Sequence, residues 1–204
     1  MILTYWKHSC FSIDDVVVTD PYHQGLGFRL PPLTAKVVTL SHDHFDHNNA
    51  QAIGGNPTVL RGQVDTTVEG MRIRSIACFH DAEQGRLRGL NYIYVIHTPT
   101  GVVCHMGDVG EPCSAELCRK IGPIDVLLVP VGGHYTIDAI QAKAYAEALR
   151  PSYVVPMHYR TADGTLDVAT VDAFVSLYAP QDITRIRGNR TATEQHAPSV
   201  LLFN

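Results

Sequence analysis

The order of strand and helix signals along this chain predicts an α/β (α+β) protein built as a four-layer αββα sandwich. Three observations point there. Strand signals dominate the first half, strands and helices alternate in the second, and four separate strand ends finish in side chains able to bind a metal. Two sheets stacked face to face, with helices outside, accommodate that order and bring such strand ends to one edge.

Residues 2–6, 10–13 and 16–19 are short β-rich runs, the last ended by Asp20-Pro21. Residues 36–40 read as a buried strand that delivers the chain directly to His42. Further strands are expected over 57–61, 63–69 and 71–79, with Glu69-Gly70 as the tight turn between the last two. Residues 91–97 and 101–106 flank Thr98-Pro99-Thr100-Gly101, a hairpin signature. The period then changes. Residues 114–121 are helical and 125–131 form an apolar strand of Val and Leu. Residues 138–150 form a helix in which Asp138 and Gln141 have the spacing of a capping box and Pro151 is the stop. Residues 153–157 are a strand, and from Asp167 onward Val168, Val171, Phe174, Val175 and Tyr178 fall on one helical face. Residues 199–203 close as a strand. No repeat, low-complexity tract or linker interrupts this order, so residues 1–204 are expected to form a single domain, with Gly85 to Gly89 as its mobile loop.

Composition narrows the function. A chain of 204 residues that is 45% hydrophobic and 18% charged can bury one substantial core. Its formal charge of −4 disfavours nucleic acid as a partner, because no basic face is available to neutralise phosphates. The expected partner is a small-molecule substrate. Five cysteines without a C-x-x-C pair read as reduced core thiols, and the sequence offers neither a leader pattern nor an apolar run of membrane-spanning length. A cytoplasmic location is expected by elimination.

Residues 42–47 read His-Asp-His-Phe-Asp-His. This H-x-H-x-D-H run sets three imidazoles and a carboxylate within six residues, a donor set suited to borderline-soft divalent cations. His80, Asp108 and His158 each follow another strand end. Each alone carries little weight, but together they supply what a two-ion site needs. Among the other histidines, His8 is read equally as a substrate contact or a satisfied strand-end residue, and His23, His97 and His196 have no company that suggests chemistry. Arg72 with Arg74, and Arg185 with Arg187, alternate on strand faces and read as solvated pairs or as holders of a phosphate. His134 follows Gly132-Gly133, which can turn it and Tyr135 across the metal edge, where an imidazole suits proton donation to a leaving group; a solvent-exposed loop residue is the competing reading.

In this order, H-D-H-F-D-H, His80, Gly107-Asp108 and Met157-His158-Tyr159 resemble the metallo-β-lactamase superfamily. Ser9 to Ser12 and Thr19 to Tyr22 resemble its early strands, and Asp20 matches its first acidic position. More narrowly, Phe79-His80-Asp81 with Gly85 and Arg88-Gly89, His105-Met106-Gly107-Asp108, and Pro130-Val131-Gly132-Gly133 with Tyr135-Thr136 resemble a small bacterial branch of Zn-dependent hydrolases. That branch is distantly similar to ascorbate 6-phosphate lactonase and N-acyl phosphatidylethanolamine phospholipase D. The resemblance implies a metallo-β-lactamase-like fold in which His42, His44 and His80 hold one metal ion, Asp46, His47 and His158 hold a second, and Asp108 bridges them. It implies two divalent ions, zinc by ligand type with manganese or iron as alternatives, and a bridging hydroxide that cleaves a small ester, lactone, amide or phosphodiester. A phosphodiesterase of nucleotides or lipid head groups is one alternative, and a non-catalytic metal-binding regulatory protein another. Asp46 is expected to steer the hydroxide and take its proton. Asp20 is expected behind the ligands, with a turn-forming role as the competing reading, and His105 is also expected there. Glu111 and His134 depart from the branch pattern, which bears on substrate choice.

Overall fold

The computed structural model describes residues 1–203. The chain opens with β1 (Ile2–Tyr5), β2 (Phe11–Ile13) and β3 (Val17–Thr19), followed by β4 (Leu33–Thr34), β5 (Val37–Leu40), β6 (Ile53–Gly54) and β7 (Thr58–Arg61). Next come β8 (Asp65–Val68), β9 (Met71–Phe79), β10 (Leu90–Thr98) and β11 (Gly101–His105). The alternating part holds α1 (Ala115–Ile121), β12 (Val126–Pro130), α2 (Ala139–Leu149) and β13 (Tyr153–Met157). It closes with α3 (Asp172–Val175), β14 (Ile183–Ile186), β15 (Arg190–Ala192) and β16 (Ser199–Phe203).

Two sheets result, ordered β15-β1-β2-β3-β5-β7 and β14-β16-β13-β12-β11-β10-β9-β8, with β4 and β6 as a separate short pair. The four residues of β5 and the five of β12 are all buried, as expected of parallel strands covered on both faces. Leu3, Phe11, Ile13, Val37, Ile73, Tyr94, Leu128 and Met157 fill the space between the sheets. The outer face of the larger sheet is covered by the helices, through Leu117, Ile121, Ala142, Tyr145 and Phe174 packed on Ile93, Val95, Leu127 and Val129. The α+β sandwich predicted from the strand and helix order is therefore the fold. Its fourth layer, over the smaller sheet, is irregular chain: Tyr22, Leu26 and Ile53 cover Cys10, Val18, Val38 and Leu40. Pro21, Gly25, Gly27, Pro31 and Pro32 keep that segment from becoming a helix.

Three further readings change. The helical face expected from Asp167 shortens to α3, because the Ala169 N–H donates to the Gly132 carbonyl (2.8 Å) and buried Val168 is drawn under Gly132, which holds that stretch extended. Cys10, Cys78 and Cys104 are core thiols, whereas Cys113 and Cys118 are half-buried with their sulfurs 3.4 Å apart. Arg72 pairs with Asp65 through two hydrogen bonds (3.0 and 2.9 Å), and Arg74 donates to the Lys120 carbonyl (2.8 Å) at the end of α1, so neither is free for a phosphate. Among the described residues, no helix is long and apolar enough to cross a membrane.

The capping box of α2 forms as the spacing predicts: the Asp138 carboxylate accepts the Gln141 N–H (2.9 Å), and the Gln141 side chain accepts the Asp138 N–H (3.0 Å). Asp138→Ala is expected to cost about 1 kcal/mol of stability, read from the midpoint of a denaturant titration, with the unfolding slope unchanged.

Candidate metal centre

Strand direction brings the functional side chains together. In the smaller sheet β1 is antiparallel to β2 and β2 to β3, while β3 and β5 are parallel, so β1, β3 and β5 run the same way. By the same reasoning β9, β11, β12 and β13 share one direction in the larger sheet. The segments leaving their carboxyl ends carry His8, Asp20, the 42–47 run, His80, Asp108, Tyr135 and His158. These segments pack closely. A Cβ on Gly107, whose φ is 53°, would lie 2.5 Å from the Ser41 Cβ, and one on Gly132 would lie 2.2 Å from the His158 carbonyl oxygen. Only glycine permits such approach.

Three groups of donors form, one of them Asp20 with His42 and His47. The ligand atoms of His42, His44 and His80 lie within 4.8 Å of one another, as do those of His8, Asp46, His47 and His158. Asp108 stands between them, its Oδ2 at 3.7 Å from His42 Nε2, 3.4 Å from His80 Nε2, 3.2 Å from His47 Nε2 and 3.1 Å from His158 Nε2. The seven predicted ligand positions are thus brought together, and His8 joins them.

Asp20 orients the histidine run from behind. Its carboxylate accepts the Ser41 N–H (2.7 Å), the Ser41 hydroxyl and the His47 Nδ1–H (2.9 Å). Because the Ser41 hydroxyl is spent on Asp20, its oxygen accepts from His42 Nδ1 at 2.9 Å. Both histidines are therefore protonated at Nδ1 when neutral, which turns the Nε2 lone pairs toward Asp108. Buried His42 Nε2, both ring nitrogens of His80, His158 Nδ1 and Asp108 Oδ1 have no hydrogen-bond partner. Orphaned buried nitrogen and carboxylate atoms of this kind are costly unless a cation meets them, and the imidazole and carboxylate set fits divalent metal ions.

The electrostatics agree. Burial alone would raise the carboxyls of Asp20, Asp46 and Asp108, yet the neighbouring imidazoles outweigh it and hold all three below the usual carboxylate range. Burial also pushes His42 down to about 2, so its lone pair stays available. Burial opposes charge on His47 as well, but Asp108, Asp20 and Asp46 prevail and raise it well above the usual histidine value. No lysine or arginine pairs with these carboxylates among the described residues. The edge is a buried anionic cluster suited to cations.

Beside the cluster lies a cavity of about 520 Å³ lined by His44, Phe45, Asp46, Arg88, Tyr135 and Leu166, among others. Tyr135 lines it as expected. His134 does not: at φ 60° it turns outward, exposed, with its ring 4.3 Å from that of Tyr135, so the proton-donor role expected of it lacks geometric support. His105 lies behind the cluster, its Nε2–H donating to the Ser9 carbonyl (2.8 Å) and Nδ1 accepting the Gly107 N–H (3.3 Å). Glu111 accepts the Phe79 N–H (3.1 Å) and braces the strand end before His80, away from the cavity lining.

Three residues received no role from sequence reasoning. Asn91 is buried, donates to the Met106 carbonyl (2.8 Å) and accepts the Asp108 N–H (2.9 Å), fixing the Asp108 turn. Asp81 accepts the N–H groups of Glu83, Gly85, Leu87 and Arg88 at 2.8 to 3.0 Å, so the loop expected to be mobile is tied to one carboxylate. Arg88, at the end of that loop, sets its guanidinium 5.3 Å from the centre of the Tyr135 ring. The Asp81–Gly85 spacing was the available signal, since aspartate followed by glycine marks a side-chain-capped loop.

Two stacked sheets with imidazoles and carboxylates gathered at one strand edge define a class of metal-using hydrolytic folds. Residues 2–158 match the profile of the beta-lactamase superfamily domain, and the chain belongs to that family. A metal-dependent hydrolase of Pyrococcus furiosus is 31% identical over 157 residues, spanning 74% of this chain and 68% of that protein. Another, from Pyrobaculum neutrophilum, is 26% identical over 197 residues, spanning 79% and 85%. The crystal structure of a Thermotoga maritima protein of the metallo-β-lactamase superfamily superposes with a TM-score of 0.82 at 33% identity, covering 99% of this chain and 97% of that one. The chain is a metal-dependent hydrolase.

Asp81→Asn replaces one acceptor oxygen by an NH₂ group facing backbone N–H donors. Amide exchange at Leu87 and Arg88 is expected to accelerate by roughly tenfold or more, measured residue by residue, while the core strands keep their protection. Unchanged exchange would mean that the loop is held by other contacts.

Proposed function

We propose that residues 1–204 act as a single metallo-hydrolase domain with a dinuclear centre. In this reading His42, His44 and His80 hold one divalent ion, Asp46, His47 and His158 hold the other, and Asp108 bridges the two. The observation that carries it is the position of Asp108 Oδ2, within 3.1 to 3.7 Å of four imidazole Nε2 atoms drawn from both groups. Zinc suits the nitrogen-rich donor set, with manganese or iron as alternatives. Divalent ions held by these residues would lower the pKa of a bound water toward neutrality and would polarise the oxygen of a scissile carbonyl or phosphoryl group.

The chain's own residues then supply orientation and proton transfer. Asp46 lines the cavity, and its carboxylate would accept the proton of the attacking water as well as bind metal. Tyr135 lines the same cavity and is the one hydroxyl-bearing side chain among its lining residues, which suits it to donate to a leaving group. Arg88 is the one permanently charged cation among the lining residues, and its guanidinium rests over the Tyr135 ring. Its guanidinium favours a small substrate carrying a carboxylate or phosphate, which keeps esters, lactones, amides and phosphodiesters in the class and supports the phosphodiesterase alternative. Phe45 and Leu166 offer apolar contact to the remainder of such a molecule.

Elemental analysis of protein reconstituted with excess zinc is expected to find two ions per chain. The loaded protein should hydrolyse anionic esters, lactones or phosphodiesters in preference to their uncharged analogues. A reproducible content near one ion would remove the bridging role from Asp108, and a preference for uncharged analogues would remove the role given to Arg88.

Asp46→Asn separates chemistry from folding. Turnover is expected to fall by about 100-fold or more, while the thermal midpoint of the metal-free protein moves little. A variant with full metal content and unchanged turnover would overturn the role of Asp46.

A further inference from the structure

His8 is far in sequence from every other member of the cluster, yet the fold inserts it among them. It is buried at the turn leaving β1, with Nε2 at 3.2 Å from Asp46 Oδ2 and 3.1 Å from His47 Nε2. Its ring centre lies 4.4 Å from that of His158, and its carbonyl accepts the His158 N–H at 3.1 Å.

The turn that holds it is strained in a specific way. Lys7 (φ 73°) and His8 (φ 56°) are consecutive non-glycine residues in the left-handed region, a conformation that persists only where the surroundings impose it. The surroundings do so here. Trp6 N–H donates to the Cys10 carbonyl (2.8 Å), Cys10 N–H to the Lys7 carbonyl (3.0 Å), and His105 clamps the Ser9 carbonyl (2.8 Å). The result of this bracing is one imidazole nitrogen aimed at Asp46 and His47.

Resting on the two-ion reading above, we propose that His8 is a further ligand of the centre, the fourth side chain of the group formed with Asp46, His47 and His158. His47 Nδ1 is occupied by Asp20, so a neutral His47 turns its Nε2 lone pair to the place where His8 Nε2 arrives. Asp46 Oδ2 lies 3.6 Å from His47 Nε2. Mutual spacings of 3.1 to 3.6 Å among these three atoms match neighbouring donors around one ion bound at ~2.1 Å, which stand about 3.0 to 3.6 Å apart in four- or five-coordinate geometry. The four donor atoms of the group all lie within 4.8 Å of one another.

The centre is then unequal. One ion has three imidazoles and a share of Asp108, leaving positions for water and substrate, whereas the other has three imidazoles, Asp46 and a share of Asp108. The richer set binds the more firmly held ion.

The test uses the full chain and reads metal, not turnover. Asparagine tolerates the left-handed region, so His8→Asn removes the imidazole while keeping the turn. Competition with a chromogenic chelator is expected to show one zinc ion bound about 10- to 100-fold more weakly than in the parent and the other unchanged. The visible spectrum of the cobalt(II)-loaded protein should change in band position and intensity as one site loses a nitrogen. Unchanged affinities together with an unchanged cobalt spectrum would overturn the proposal. In the parent protein, labelled with ¹⁵N-histidine and loaded with ¹¹³Cd, scalar coupling to cadmium is expected at His8 as well as at the other histidines of the cluster. An uncoupled His8 beside coupled His47 and His158 would overturn the proposal even if His8→Asn failed to fold. The two readings fail separately: a parent that binds one ion removes the dinuclear centre, while cadmium coupling at His8 still decides whether His8 is a ligand.

Discussion

A carboxylate buried at the end of β3 cannot remain without hydrogen-bond donors, and the way Asp20 finds them fixes the rest of the edge. Parallel pairing of β3 with β5 sets it beside Ser41, whose N–H and hydroxyl both turn to it, and His47 donates from the far side. One carboxylate thus decides the proton positions of two imidazoles, His47 directly and His42 through the Ser41 oxygen. Gly107 lies against Ser41 with no room for a side chain, so the loop bearing Asp108 is placed by the same contact. Asn91 closes the arrangement from β10 by holding the Asp108 N–H.

The cost of this arrangement is confined to one edge. The apolar cores between and outside the sheets contain none of the proposed ligands, so the sandwich carries its stability where the donors are not. At the edge, ionised carboxylates meet imidazoles that are left with bare nitrogens, an arrangement poor for a dry interior and suited to receiving cations. Hydrogen bonds that would have satisfied those nitrogens are withheld, and the close glycine contacts keep the loops from relaxing to supply them.

Much of this was legible in the residues. The H-x-H-x-D-H run is contiguous, so its chemistry needs no tertiary knowledge, and the single metal-capable residues after β9, β11 and β13 gained meaning from the strand pattern around them. The capping box of α2 was legible for the same reason, since both partners lie within one turn. What escaped depends on contacts distant in sequence. His8 reaches the cluster through a left-handed turn that no spacing announces, and Asn91 reads as an ordinary polar residue in a strand. Strand β15 pairs with β1 across nearly the whole chain, and Val168 leaves the helical pattern only because Gly132 makes room for it. His134 was singled out for its chemistry, whereas the backbone after Gly133 turned its neighbour inward instead.

The irregular fourth layer also shapes the mouth of the cavity. Leu26 accepts the Thr165 N–H (3.0 Å), and Gly27 lets Asp163 approach where a side chain would collide, so residues 163–166, including Leu166 of the cavity wall, lean on a covering segment that has no regular structure of its own. A helix in that place would have to keep its length and face to go on packing. Looped chain can lengthen, shorten or exchange residues without shifting a single strand. The wall that meets the substrate is therefore free to diverge among relatives independently of the edge that holds the donors, so one hydrolytic scaffold can be retuned to new molecules by rewriting a segment that bears none of its chemistry.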